Sequence, residues 1–212
     1  MHSSTLITGL GASRLLAIIR GSNADACFRA ALALVEEGFT YLEVSLNSAD
    51  AAGVITRVRG EVAGRATIGA GTVLTADDVH RVADAGAGFI VTPAYGPSLR
   101  TAVTLDLPVL AGALTPSEAY AAMGEGATAI KLFPASFGGP GYLAALRDPF
   151  PDMPFIPVGG VDETAATEYL RRGALAVGVG SPLIGDAAAG GSLDALRARA
   201  RRFLSATRDV SA

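Results

Sequence analysis

Apolar residues fall along this chain in short aliphatic or β-branched runs, each followed by an amphipathic stretch and often by a glycine. The runs predict strands at Leu15–Arg20, Tyr41–Leu46, Thr67–Thr72, Phe89–Pro93, Val109–Gly112, Ala129–Phe133, Phe155–Val158 and Ala176–Gly180. Their starts lie roughly 20 to 26 residues apart, room for one strand, one helix and two short loops. Between them, Ala24–Glu37 carries apolar residues at helical spacing and stops at Gly38, and Ala76–Ala85 stops at Gly86 in the same way. Thr115-Pro116 predicts a cap followed by proline at the first helical position. Asp162 and Ser192 predict the caps of the last two helices.

Eight strand–helix units without a linker or a break in composition predict one closed (β/α)8 TIM barrel, a single domain over residues 1–212. An extra N-terminal helix around Ser3–Gly11 would cover the lower end of the barrel. A doubly wound open sheet is the competing architecture, and it takes eight alternating units less naturally. In a barrel the chemistry belongs at the C-terminal ends of the strands, where the βα loops converge.

Composition narrows the class of function. Half of the 212 residues are apolar and 17% are charged, which excludes intrinsic disorder. No apolar run reaches the roughly 18 to 20 residues of a membrane span, and Met1 to Gly11 lacks the basic start and apolar core of a signal peptide. A net charge of −3 gives no general attraction to nucleic acid. The one basic cluster, Arg197 to Arg202, reads as the solvated face of a terminal helix. One cysteine, Cys27, excludes an internal disulfide framework and suits a reducing cytoplasm. With two histidines, His2 and His80, the ligand inventory for a structural zinc site is nearly absent. His80 within a helix and Cys27 near the start of another read as structural residues.

Lysine is scarcer still: of 17 basic side chains, only Lys131 is a lysine. It lies inside the run Ala129-Ile130-Lys131-Leu132-Phe133-Pro134, and alternation puts Ala129, Lys131 and Phe133 on one face. With Ile130 and Leu132 towards the helices, Lys131 points into the barrel. Burial disfavours an ammonium and leaves a nucleophilic amine, the group needed for a Schiff base with a ketone. A structural ion pair is the plainer alternative. In Tyr41–Asn47, Glu43, Ser45 and Asn47 share a polar face, so Glu43 is a carboxylate able to move protons beside that amine, or merely to pair with Lys131 or Arg20. Arg20 closes the first strand with a fork suited to a substrate carboxylate, and Thr72 offers a hydroxyl to donate to the same group. Val158-Gly159-Gly160-Val161 and Gly178-Val179-Gly180-Ser181 end strands seven and eight, the usual phosphate position of a barrel.

These segments together resemble the 2-keto-3-deoxy-6-phosphogluconate (KDPG) and 2-keto-3-deoxy-6-phosphogalactonate aldolases, small class I pyruvate aldolases. The resemblance runs from about Leu15 to Ser205 and is carried by Ala17-Ile18-Ile19-Arg20-Gly21, Glu43-Val44-Ser45-Leu46-Asn47-Ser48 and Ile68-Gly69-Ala70-Gly71-Thr72-Val73-Leu74. Val91-Thr92-Pro93, Ile130-Lys131-Leu132-Phe133-Pro134 and the two glycine-bearing segments complete it. It implies a homotrimeric barrel that needs no metal or other cofactor. Lys131 would form the Schiff base and Glu43 act as general acid and base. Arg20, Thr72 and Pro93 would lie around the pyruvate half with Phe133 stacking nearby, and Gly159, Gly160, Val161, Gly180 and Ser181 would surround the phosphate.

The implied reaction cleaves a six-carbon phosphorylated keto sugar acid to pyruvate and D-glyceraldehyde 3-phosphate. Gluconate-type members usually carry arginine four residues after the glutamate, and this chain has Asn47 there. Leu46-Asn47-Ser48, Arg20-Gly21 and Phe137-Gly138-Gly139-Pro140 resemble the galactonate branch, whereas Ser45 departs from the proline or threonine often found at its position. The alternatives are the gluconate epimer or 4-hydroxy-2-oxoglutarate as substrate, a non-catalytic phosphosugar-binding barrel, and a metal-dependent aldolase.

Overall fold

The computed structural model describes residues 2–208 and 210, so residues 1, 209, 211 and 212 of the expected domain span lie outside the described ones. Eight parallel strands form its centre: β1 (Leu15–Ile19), β2 (Tyr41–Ser45), β3 (Thr67–Gly71), β4 (Ile90–Val91), β5 (Val109–Ala113), β6 (Ala129–Leu132), β7 (Phe155–Pro157) and β8 (Val177–Val179). Each strand from β1 to β6 pairs with the next in the chain, and β1 also pairs with β8. The ring meets between β7 and β8 through one bridge, Val158 to Gly178, and a hydrogen bond from the Leu175 N–H to the Phe155 carbonyl. This is a (β/α)8 barrel.

Among the described residues, ten α-helices accompany the strands: α1 (Ser3–Ser13), α2 (Ala24–Glu37), α3 (Ala51–Val62), α4 (Ala76–Asp84), α5 (Pro97–Thr104), α6 (Pro116–Gly124), α7 (Gly139–Arg147), α8 (Glu163–Arg171), the single turn α9 (Ser181–Ile184) and α10 (Leu193–Arg208). The caps stand where the sequence puts them. Thr115 accepts from the Glu118 N–H with Pro116 in the first turn, Asp162 accepts from Ala165, Ser192 accepts from Ala195, and Gly38 ends α2 at φ 111°.

Alternation divides the apolar residues into two cores. Leu15, Ala17, Leu42, Val44, Ile68, Ala70, Ile130 and Leu132 face the helices. Leu16, Ile18, Tyr41, Phe89, Val91, Leu110, Ala129 and Ile156 fill the barrel, where Leu6 and Leu10 of α1 join them and plug its lower end. Glycine makes this narrow interior possible at two levels. A Cβ on Gly69 would stand 2.5 Å from the Phe89 ring, and one on Gly71 would meet the carboxylate of Glu43.

Most observed strands stop short of their predicted ends. Arg20, Leu46, Thr72, Pro93, Phe133, Val158 and Gly180 each fall beyond the last ladder residue. The backbone there turns away to start a βα loop: Thr72 takes a left-handed φ of 58°, and Pro93 has no N–H to give the ladder. The overrun is informative, because most of these residues reappear at the cavity described below.

The basic run of α10 is solvated at Arg201 and Arg202, whose side chains are 65% and 59% exposed, and it is paired to neighbouring helices as well. Arg197 pairs with Glu36 and Glu37, Arg201 with Glu37 and Arg202 with Glu163, tying α10 to α2 and α8. Arg199 donates to the carbonyls of Leu183 (2.6 Å) and Ile184 (2.8 Å) and so holds α9. Cys27 is buried in α2 within reach of the Ala188 carbonyl, and burial pushes its thiol pKa up, which suits a structural thiol. His80 lies on the exposed side of α4.

Candidate active site

The βα turns enclose a cavity of about 490 Å³ at the C-terminal end of the barrel. Nine of the residues singled out in the sequence line it: Arg20, Thr72, Pro93, Lys131, Phe133, Gly159, Gly160, Gly180 and Ser181. Ile18, Val158, Pro182, Ile184 and Gly185 line it as well and were not anticipated. Two of these had a legible signal: Ile18 alternates with Arg20 on one strand face, and Val158 follows Ile156 in the same way. Pro182, Ile184 and Gly185 had none, since their position depends on how α9 docks.

Lys131 projects inward from the middle of β6 and is only 6% exposed. Its neighbour across the β5–β6 ladder is Gly112. The ammonium nitrogen lies 5.2 Å from the centre of the Phe133 ring, a cation–π contact that steadies the side chain over the cavity floor. Phe133 is itself 38% exposed and forms part of the wall.

Glu43 projects inward from β2 and is 1% exposed. It stands beside β3 rather than in the cavity lining, in the space that Gly71 leaves. Its Oε2 has no hydrogen-bond partner among the described residues. Burial raises its carboxyl pKa above the ordinary range, while the positive charges of Lys131 and Arg20 act in the opposite direction. A carboxyl that holds its proton to higher pH, next to an amine, can take up a proton and return it. Arg20 makes no ion pair among the described residues, which leaves its guanidinium for an anion in the cavity.

Asn47 lies at the rim of β2 and outside the cavity lining. It is connected to the cavity through Ser45, whose buried hydroxyl donates to Asn47 Oδ1 (2.6 Å) and lies 2.7 Å from Thr72 Oγ1. At the opposite wall, Gly159 (φ 104°) and Gly160 (φ 74°) take conformations that L side chains resist. Their loop is tied to the turn after β6 by bonds from the Ala135 N–H to the Val158 carbonyl and from the Ser136 N–H to the Gly159 carbonyl. Val161 stands apart from the other predicted phosphate residues. Its side chain is 2% exposed and packs in the helix-side core, so a ligand could meet only its backbone.

An amine and a guanidinium line one cavity of a (β/α)8 barrel together with a glycine-bearing wall, and a buried carboxylate lies behind the lining. That arrangement holds the groups that carbonyl chemistry needs on a barrel scaffold. The family model for KDPG and KHG aldolase matches residues 7–196, and the chain belongs to this family of aldolases, lyases that cleave a carbon–carbon bond. It is 41% identical over 172 residues to a probable 2-dehydro-3-deoxy-6-phosphogalactonate aldolase of Rhizobium meliloti, covering 80% of this chain and 81% of the relative. Against the 2-dehydro-3-deoxy-6-phosphogalactonate aldolase of Escherichia coli it is 34% identical, with 92% and 95% of the two chains covered. Among solved structures, the KDPG aldolase of Legionella pneumophila, with pyruvate captured at low pH as a covalent carbinolamine intermediate, superposes with a TM-score of 0.82. The two share 26% identity over 100% of this chain and 99% of that one.

Proposed function

We propose that this aldolase cleaves 2-dehydro-3-deoxy-6-phosphogalactonate to pyruvate and D-glyceraldehyde 3-phosphate through a Schiff base on Lys131. The observation that carries the reading is the chain's single lysine, held inside the barrel at the floor of the cavity with the buried carboxylate of Glu43 as its neighbour. Covalent capture of pyruvate in the Legionella relative supports the same use of an amine.

The Lys131 amine adds to the C2 ketone, and loss of water leaves an iminium, which draws electrons from C3. Glu43, directly or through a water, takes the C4 hydroxyl proton as the C3–C4 bond breaks. The aldehyde leaves, and the bonding pair becomes the enamine. A proton returned to C3 restores an iminium, this time of pyruvate, and water releases the ketone and the free amine. Arg20 faces the substrate carboxylate, with Pro93 and Phe133 walling the pyruvate half. Backbone N–H groups of Gly159, Gly160, Val161, Gly180 and Ser181 provide donors for the phosphate, which can approach closely where side chains are absent.

Asn47, where an arginine marks the gluconate type, favours the galactonate epimer, as do the two phosphogalactonate aldolases among the relatives. The reading includes a homotrimer, whose interfaces would cover exposed apolar side chains such as Leu74, Tyr120 and Phe137. It also places the enzyme in the cytoplasm, where Cys27 stays reduced and no described helix is long and apolar enough to cross a membrane.

Incubation with pyruvate and borohydride, followed by peptide mass analysis, is expected to leave a reduced adduct on Lys131; an unmodified Lys131 sinks the Schiff-base route. Side-by-side turnover of the two C4 epimers is expected to favour the galactonate form. Equal or reversed turnover would remove Asn47 as the mark of specificity. Sedimentation of the purified protein as a monomer would remove the trimer.

A further inference from the structure

β4 is two residues long, the shortest strand of the ring, and a side chain rather than the backbone carries its pairing one step further. Thr92 is 1% exposed and stands between β4 and Pro93, which lines the cavity. As far as Thr92 the pairing with β5 is regular: the N–H groups of Ile90 and Thr92 donate to the carbonyls of Pro108 and Leu110. The next bond of a parallel ladder would run from the Gly112 N–H to the backbone carbonyl of Thr92. That N–H donates to the Thr92 hydroxyl oxygen instead (3.0 Å). The hydroxyl proton goes in turn to the Ala94 carbonyl (2.8 Å). A backbone N–H only donates and a carbonyl only accepts, so the direction of both bonds follows from their chemistry.

The chain leaves the sheet at this point and turns across β5. A Cβ on Gly112 would stand 2.5 Å from the Ala94 nitrogen, so the Pro93–Ala94 peptide rests on the bare Cα of Gly112. Gly112 is also the ladder neighbour of Lys131. Pro93 has no N–H with which to hold the turn itself. We propose that Thr92 is a positioning residue for the aldolase reaction: its hydroxyl clasps the turn after β4 to β5 and so fixes the Pro93 wall of the pyruvate half against the strand beside Lys131. Serine at this position could make both bonds. Valine has the shape of threonine and could make neither, which leaves the buried Gly112 N–H without a partner and the turn free to lift.

The inference rests on the Schiff-base reading of the same cavity, and its test uses pyruvate alone. Pyruvate lacks C4 and the phosphate, so exchange of its C3 protons with deuterated water, followed by NMR, reports only the amine, the proton-transfer groups and the walls around them. Exchange absent from the wild-type protein overturns the Schiff-base reading, and the inference with it; the variants bear on Thr92 alone. Assayed well below its thermal unfolding midpoint, Thr92→Val is expected to lower kcat/KM for exchange about tenfold, and Thr92→Ser to stay within about twofold of wild type. In a Pro93→Ala background, where the wall is already cut back, Thr92→Val is expected to cost less than about threefold. A loss in Thr92→Ser equal to that in Thr92→Val overturns the proposal, because the hydroxyl would then not matter. So do equal losses of Thr92→Val with and without Pro93, since Thr92 would act independently of that wall, and so does no loss at all. If Thr92→Val does not fold, Thr92→Ala carries the same comparisons, because it leaves room for water at the freed backbone groups.

Discussion

Gly71→Ala tests how tightly the barrel places Glu43, the carboxylate to which the proposed mechanism gives the proton transfers. Gly71 is a strand residue of β3 with no left-handed backbone requirement, so alanine is conformationally acceptable there. The obstacle lies across the ladder. A Cβ at position 71 would stand 2.8 Å from Cδ of Glu43 and 3.4 Å from its Cγ, and nearer still to Oε1. Ordinary contact begins at 3.4 Å, so the carboxylate must withdraw by something on the order of 1 Å. A displacement of that size at a reacting group costs about a hundredfold in rate. The cost to folding is small by comparison. Alanine gains about 0.5–1 kcal/mol through reduced freedom of the unfolded chain, against about 1–3 kcal/mol for overpacking. Pyruvate C3-proton exchange should therefore fall about a hundredfold while the protein stays folded at assay temperature. In a Glu43→Gln background, where the proton carrier is already gone, the same substitution should change exchange by less than about twofold. Exchange within about threefold of wild type in Gly71→Ala would refute the argument, since the carboxylate would then tolerate misplacement.

Glu43 also predicts a pH dependence of stability. Its pKa is raised in the folded state, chiefly by burial, so the folded protein holds this proton more tightly than the unfolded chain. The contribution is fully present below the ordinary carboxylate range and is lost as pH rises through the raised value. Glu43→Gln cannot ionise, so its unfolding midpoint should gain on wild type as pH rises from the ordinary carboxylate range upward; a gap that stays constant would contradict the assignment. Gly112→Ala should be damaging for a different reason. Its Cβ would fall 2.5 Å from the Ala94 nitrogen and closer still to the Pro93 carbonyl, backbone that cannot rotate away. A loss of about 1–3 kcal/mol in urea unfolding is expected, and a change below about 0.5 kcal/mol would show that the β4 turn is freer than it looks. Arg199→Leu should raise KM for the phosphorylated substrate about tenfold by releasing α9 and Ser181, while pyruvate exchange stays within about twofold. Equal effects on both measurements would mean that Arg199 supports the whole barrel rather than the phosphate side.

Much of the site was legible because β-structure has a period of two. Once Ile130 and Leu132 are read as facing the helices, Lys131 has only the interior left, and the same reasoning sends Glu43 and Ser45 inward. The capping residues were legible for an equally local reason: Thr115, Asp162 and Ser192 satisfy N–H groups three residues away. Strand ends were read too long because apolar character continues past the point where the ladder stops. Thr72, Pro93 and Phe133 look like strand residues but serve the βα turns. The arginines of α10 were legible as a solvated face, but their partners were not. Glu36, Glu37 and Glu163 are brought opposite them only by packing.

By itself, then, the sequence determined the order of elements, the face on which each strand residue lies, and the single position able to supply a free amine. A guanidinium stays protonated, so none of the arginines could take the place of Lys131. The tertiary structure decided which of these inward groups meet. Glu43 and Lys131 are carried by β2 and β6, on different sides of the ring, and closure of the barrel brings the buried carboxylate within the electrostatic influence of the cavity's amine. The same closure links Ser45 to Thr72 across 27 residues and Arg199 to α9 across 16. Periodicity is a property of a few consecutive peptide units; a hydrogen bond between distant segments exists only after packing has fixed both ends within about 3 Å of each other.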